Sequence, residues 1–82
     1  MIDPKFIELY TRQRKVIEEC SELIQAICKA DRFGWFNYHP DRPRVTNLTH
    51  VRDEMDDVVE AIASLEVELI QLNFIQRQEA AE

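Results

Sequence analysis

Two long stretches of this chain repeat apolar residues in alternating steps of four and three, the spacing of a helix with one buried stripe. In the first, Phe6, Tyr10, Gln13, Ile17, Cys20, Ile24 and Ile27 form a heptad seam whose single polar interruption is Gln13. Leu9, Val16 and Leu23 form a second apolar row beside it. In the second stretch the seam is unbroken: Leu48, Val51, Met55, Val58, Ile62, Leu65, Leu69 and Leu72, with Val59 and Ile70 widening the arc. Asp3 suits an N-cap and Pro4 the first helical position, so the first helix is predicted over about residues 4–30. Asn47 or Thr49 can cap the second, over about residues 47–76, after which Gln76 to Glu82 reads as a fraying end. The segment between them, about residues 31–46, holds the only glycine, Gly34, with Pro40 and Pro43, and reads as a loop. It also gathers Phe33, Trp35, Phe36 and Tyr38.

The fold class that follows is all-α: an antiparallel hairpin of two long helices in one domain, without an internal repeat or low-complexity segment. Both apolar arcs are too wide for a single partner helix to cover. A chain of 82 residues also buries only about 60% of its unfolded surface. The expected remedy is oligomerisation, with hairpins completing a four-helix bundle as a homodimer or homotetramer.

Charge narrows the function. The net charge of −6 argues against a nucleic acid polymer as partner, since that needs a basic footprint. Cys20 and Cys28 lie on one predicted helix about 12 Å apart, too far for a mutual disulfide. They read as reduced, buried thiols. With no signal-peptide pattern and no apolar run long enough for a membrane, the expectation is a cytoplasmic protein.

The chemistry concentrates in four acidic residues, Glu19 with Glu22 and Glu54 with Asp57. Each pair has i, i+3 spacing, which places both carboxylates on one helix face about 5–6 Å apart at Cβ. Like charges so placed repel unless a cation lies between them. On a wheel of about 100° per residue, the two pairs fall on same-handed flanks of their helices. In an antiparallel hairpin such flanks share one side. Each pair is also roughly 13–14 Å from the turn, so the four are expected to converge. Ala26 and Ala61 on the same flanks are expected to leave room for a ligand. Oxygen ligands in such a group suit Mg²⁺. The bland alternative is a solvated acidic face.

The run Glu18-Glu19-Cys20-Ser21-Glu22-Leu23, followed by Glu54-Met55-Asp56-Asp57-Val58-Val59, resembles the EExxEL and ExxDVV motifs of MazG-like nucleotide pyrophosphohydrolases. These belong to the all-α NTP pyrophosphatase superfamily, and the resemblance covers about residues 15–65. It implies an oligomeric helical bundle. It also implies Mg²⁺-dependent hydrolysis of nucleoside triphosphates to monophosphate and pyrophosphate, with Mn²⁺ a possible substitute. By the same resemblance Glu19, Glu22, Glu54 and Asp57 would be the metal ligands, and Glu18 would orient a ligand or the attacking water. Lys15 and Lys29, which share the flank of Glu22, are candidates for phosphate binding, as are the loop arginines. Trp35, Phe36 and Tyr38 are candidates to stack on a base, against the competing reading that they plug the bundle end. His50, one turn from Glu54, reads as a helix-start residue rather than a ligand. The alternative function is a non-catalytic, dimerising helical interaction module. A di-iron bundle would favour Glu-x-x-His pairs, and the chain has none.

Overall fold

The structure, a computed structural model, describes residues 3–81. After one 3₁₀ turn (Pro4–Phe6), helix α1 runs over Ile7–Phe33 and helix α2 over Asn47–Ala81. They fold back on each other as an extended hairpin 60 Å long.

The ends of the helices follow from local chemistry. The Asp3 side chain accepts a hydrogen bond from the Lys5 amide (3.1 Å), and Pro4 fills the first position of the 3₁₀ turn. α1 extends three residues past the expected Ala30 and stops at Gly34. There the backbone takes φ +97°, which L side chains avoid, while the Gly34 amide still bonds the Ala30 carbonyl (2.9 Å). The cap of α2 is neither Asn47 nor Thr49. Thr46 Oγ1 accepts from the Thr49 amide (3.2 Å), an N-cap to N3 bond. Asn47 is occupied elsewhere, donating its side-chain amide to the Gly34 carbonyl (2.8 Å). At the far end α2 continues to Ala81 through the stretch from Gln76 expected to fray, whose Gln, Arg, Glu and Ala residues are good helix formers; Glu82 lies outside the described residues.

The connecting loop is held by its own backbone. Asn47 N–H donates to Asn37 O and Leu48 N–H to Trp35 O, both at 2.8 Å, and Tyr38 pairs with Thr46 in an isolated antiparallel bridge. These bonds pin the start of α2 against the end of α1 and fix where the helices begin to pack.

The packing seam differs from the sequence expectation. In α1 the heptad row Ile17, Ile24, Ile27 is exposed, with Ile17 at 63% and Ile24 at 62% of full exposure. The second row turns inward instead: Leu9, Val16 and Leu23 are half-buried, and Leu23 packs on a core of Ala26, Ala30 and Val51. In α2 the long seam splits. Val51, Val58, Leu65 and Leu72 turn inward, while Leu48, Met55, Ile62 and Leu69 face out. Ala26 is therefore a core packing residue rather than open space beside a ligand, while Ala61, also buried, lines two recesses beside the hairpin seam as expected. The cysteines are not buried either: Cys20 is half-buried and Cys28 exposed, and both are free thiols. No described helix is long and apolar enough to cross a membrane.

Candidate functional site

The seam that closes the hairpin is not purely apolar. Spaced among its alanines and leucines are Arg12 and Glu19 on α1, and Glu54 and Glu68 on α2. Glu19 is 6% exposed and Glu68 9%. A buried carboxylate is costly unless partnered, so each of these needs an account.

Glu68 has a direct one. Arg12 Nη1 lies 3.9 Å from Glu68 Oε2 and donates to the Ser64 carbonyl at 2.9 Å, while Arg12 Nε reaches Glu8 at 3.2 Å. This polar layer is internally satisfied.

The other layer is not. Glu19, Glu22 and Glu54 bring one carboxylate oxygen each within 4.8 Å of one another. Lys15 Nζ stands 2.8 Å from Glu19 Oε1, and His50 Nε2 stands 3.3 Å from Glu54 Oε1. The second oxygens, Glu19 Oε2 and Glu54 Oε2, are buried with no hydrogen-bond partner. Two helices thus bring three carboxylates together, and two of these each keep a buried oxygen without a partner. The crowding registers on Glu22, whose carboxyl is held above its ordinary value of 4.5, first by the Glu19 charge, then by lost solvation and by Glu54. It also raises the Lys15 ammonium above its ordinary value of 10.5, first through the hydrogen bond to Glu19 and then through the charge of Glu19.

Of the four carboxylates expected to converge, three do. Asp57 stands outside this group but shares with Glu19 and Lys15 the lining of an adjoining recess of about 390 Å³. Glu18 is exposed and lines a neighbouring recess of about 510 Å³ with Arg14 and Lys15. Lys29 and His50 line a third recess, about 590 Å³, at the loop end of the hairpin. Its aromatic walls are Phe33 and Tyr38; Trp35 is not among the lining residues. Sequence spacing gave no sign that Glu19 and Glu54 lie in the packing seam itself, and His50 was read as a helix-start residue although it stands 3.3 Å from Glu54. The signal that could have found this contact is the i, i+4 spacing of His50 and Glu54.

Chemically, three carboxylates on two helices suit a hard cation. Oxygens held by Mg²⁺ at about 2.1 Å lie roughly 3–4 Å apart, so the group needs only a small contraction to meet those distances. No family model matches the chain, and no curated protein or solved structure matches it.

Proposed function

We propose that this chain is a Mg²⁺-dependent nucleoside triphosphate pyrophosphohydrolase, releasing nucleoside monophosphate and pyrophosphate. The observation that carries the reading is the convergence of Glu19, Glu22 and Glu54 together with two buried oxygens, Glu19 Oε2 and Glu54 Oε2, that have no hydrogen-bond partner. Each glutamate has one partnered oxygen, so what is left to compensate is the second, buried one. The order of the motifs, Glu18-Glu19-x-x-Glu22 then Glu54-x-x-Asp57, supports the same reading through its resemblance to MazG-like enzymes.

Glu19, Glu22 and Glu54 would hold the metal, with Asp57 across the adjoining recess available to it or to a second ion. When bound, such an ion neutralises phosphate charge and lowers the pKa of a coordinated water. The reaction adds water across the α–β anhydride: oxygen bonds to the α-phosphorus, and the β-phosphate leaves with its bonding pair as pyrophosphate. Lys15 is 58% exposed in its side chain and tethered only to Glu19, so it is free to turn to a phosphate once Glu19 is otherwise engaged. His50 holds Glu54 by one oxygen and orients the other. Glu18 is the spare carboxylate nearest the basic recess and serves as the candidate to position water. The enzyme acts as a homo-oligomer, its exposed isoleucine face covered by a second copy.

The test is pyrophosphate release from a panel of canonical and modified nucleoside triphosphates with Mg²⁺. Wild type releases pyrophosphate and monophosphate one to one; Glu22→Gln and Asp57→Asn lose a hundredfold or more. The rival reading, a dimerising helical module without activity, draws on the exposed apolar face alone. It predicts no release from any nucleotide and no stoichiometric Mg²⁺ or Mn²⁺ binding.

A further inference from the structure

The nucleotide's direction along the hairpin is written in what lies on either side of the carboxylates. Toward the loop is the recess of about 590 Å³, within the roughly 300–1,000 Å³ range of small-molecule sites. Its aromatic walls, Phe33 and Tyr38, are 58% and 54% exposed, so neither is used to build the core. The bonded loop holds Tyr38 in place, since its own backbone pairs with Thr46. Exposed, fixed aromatic faces are what a nucleobase stacks on.

The same recess is basic although the chain is acidic. Lys29 and Arg42 line it against one acid, Asp41. It also adjoins the carboxylates. His50 belongs to both, lining the recess and standing 3.3 Å from Glu54. Lys29 lies two turns beyond Glu22 on the same face of α1, about 10 Å along the axis.

Toward the open end the lining changes character. The recess of about 510 Å³ there has Arg14 and Lys15, with Thr11, Ser64 and two glutamates, and no aromatic residue. It offers charge to phosphate and nothing for a base to stack on. Lys15 links it to the carboxylates through Glu19 (2.8 Å).

We infer that the nucleoside triphosphate lies along the hairpin with its base between Phe33 and Tyr38 at the loop end and its outer phosphates toward Lys15 and Arg14. The inference rests on the proposed hydrolase reading and adds the polarity of its substrate. It assigns the base to a recess that Trp35 does not line.

The experiment compares two probes in Mn²⁺ by calorimetry: a non-hydrolysable α,β-methylene nucleoside triphosphate and inorganic triphosphate. Mn²⁺ binding alone is titrated first, and thermal melts confirm that each variant folds. Wild type binds the nucleotide analogue at least tenfold more tightly than inorganic triphosphate. Tyr38→Ala with Phe33→Ala removes that advantage and leaves triphosphate affinity within twofold, while Tyr38→Phe keeps it. Arg14→Ala weakens both probes alike. If the aromatic double variant binds the analogue as wild type does, or the analogue binds no better than triphosphate, the orientation is wrong while the metal site stands. If wild type binds neither Mn²⁺ nor either probe, the hydrolase reading itself fails and takes the orientation with it.

Discussion

Glu22 shows how function is drawn from a local conflict. Glu19, Glu54 and lost solvation together raise its folded-state pKa above 4.5, so the folded protein holds this proton more tightly than the unfolded chain. A raised carboxyl pKa stabilises the fold fully below the unfolded value. That stabilisation is lost as the pH rises through the folded value. From this group, then, the metal-free protein melts at higher temperature near pH 5 than at pH 7. Glu22→Gln carries an uncharged amide at every pH, so its melting temperature falls less between those pH values than that of wild type. Saturating Mn²⁺ or Mg²⁺ at pH 7 reverses the wild-type loss, by about 2.7 kcal/mol at a hundred times Kd, and does little for Glu22→Gln. Melting curves at the two pH values, with and without metal, check both arms. An unchanged pH slope in the variant would remove the conflict from Glu22, and with it the reason to expect a cation there.

Along the helices, two polar layers sit in one seam and do different things. Arg12 and Glu68 answer each other, with the Ser64 carbonyl completing the set. Removing Arg12 alone strands a buried acid, so Arg12→Met costs about 1–3 kcal/mol in urea unfolding. Adding Glu68→Leu removes the stranded charge, and the double variant recovers most of that loss. A layer of this kind fixes register, because sliding α2 by one residue parts the pair. Much of this architecture was legible in the chain: two long helices, the Asp3 cap, the loop, and three of the four converging carboxylates. The choice of seam was not. Ile17 and Leu23 belong to adjacent rows of equal apolar character, and a helical wheel cannot say which row meets the other half of its own chain. Glu19 and Glu54 were placed on flanks beside the seam, and nothing in the pattern singled out Arg12 or Glu68, because charge normally marks surface; only the facing helix turns these four toward the seam. Thr46 was missed as the cap because Asn47 is the stronger capping type in isolation. The carbonyl of Gly34, thirteen positions away in the chain, claims the Asn47 amide. Asp57 shares the flank and level of Glu54, yet its carboxylate falls in the next recess, a distinction finer than the spacing can resolve.

The hairpin taken whole is a rod of 60 × 24 × 18 Å with a radius of gyration of 18.0 Å. A compact domain of this length would have about 12 Å. Its fully buried apolar residues are Ala26, Ala30, Val51 and Ala61, while Ile17, Ile24, Met55, Val59 and Ile62 stand in solvent. At about 100° per residue, these exposed residues fall on same-handed flanks of α1 and α2, opposite the flanks of Glu22 and Asp57. The rod therefore has an apolar broad face and, behind it, the carboxylates with their three recesses. An exposed apolar face of this extent marks an interaction surface. A second copy laid on it would cover the isoleucines and leave the recesses open, which is the arrangement the proposed site requires. A stable pairing needs about 800 Å² from each partner, well within a face that runs much of the length of both helices. In sedimentation, wild type is expected as a dimer or tetramer, and Ile24→Glu with Ile62→Glu as a monomer of reduced helicity. Neither side chain lines a recess or joins the carboxylate group, so at concentrations where the variant stays folded its Mn²⁺ stoichiometry is unchanged. Loss of metal binding together with the oligomer would instead place the carboxylates at the interface, and the two hairpins would then share one site.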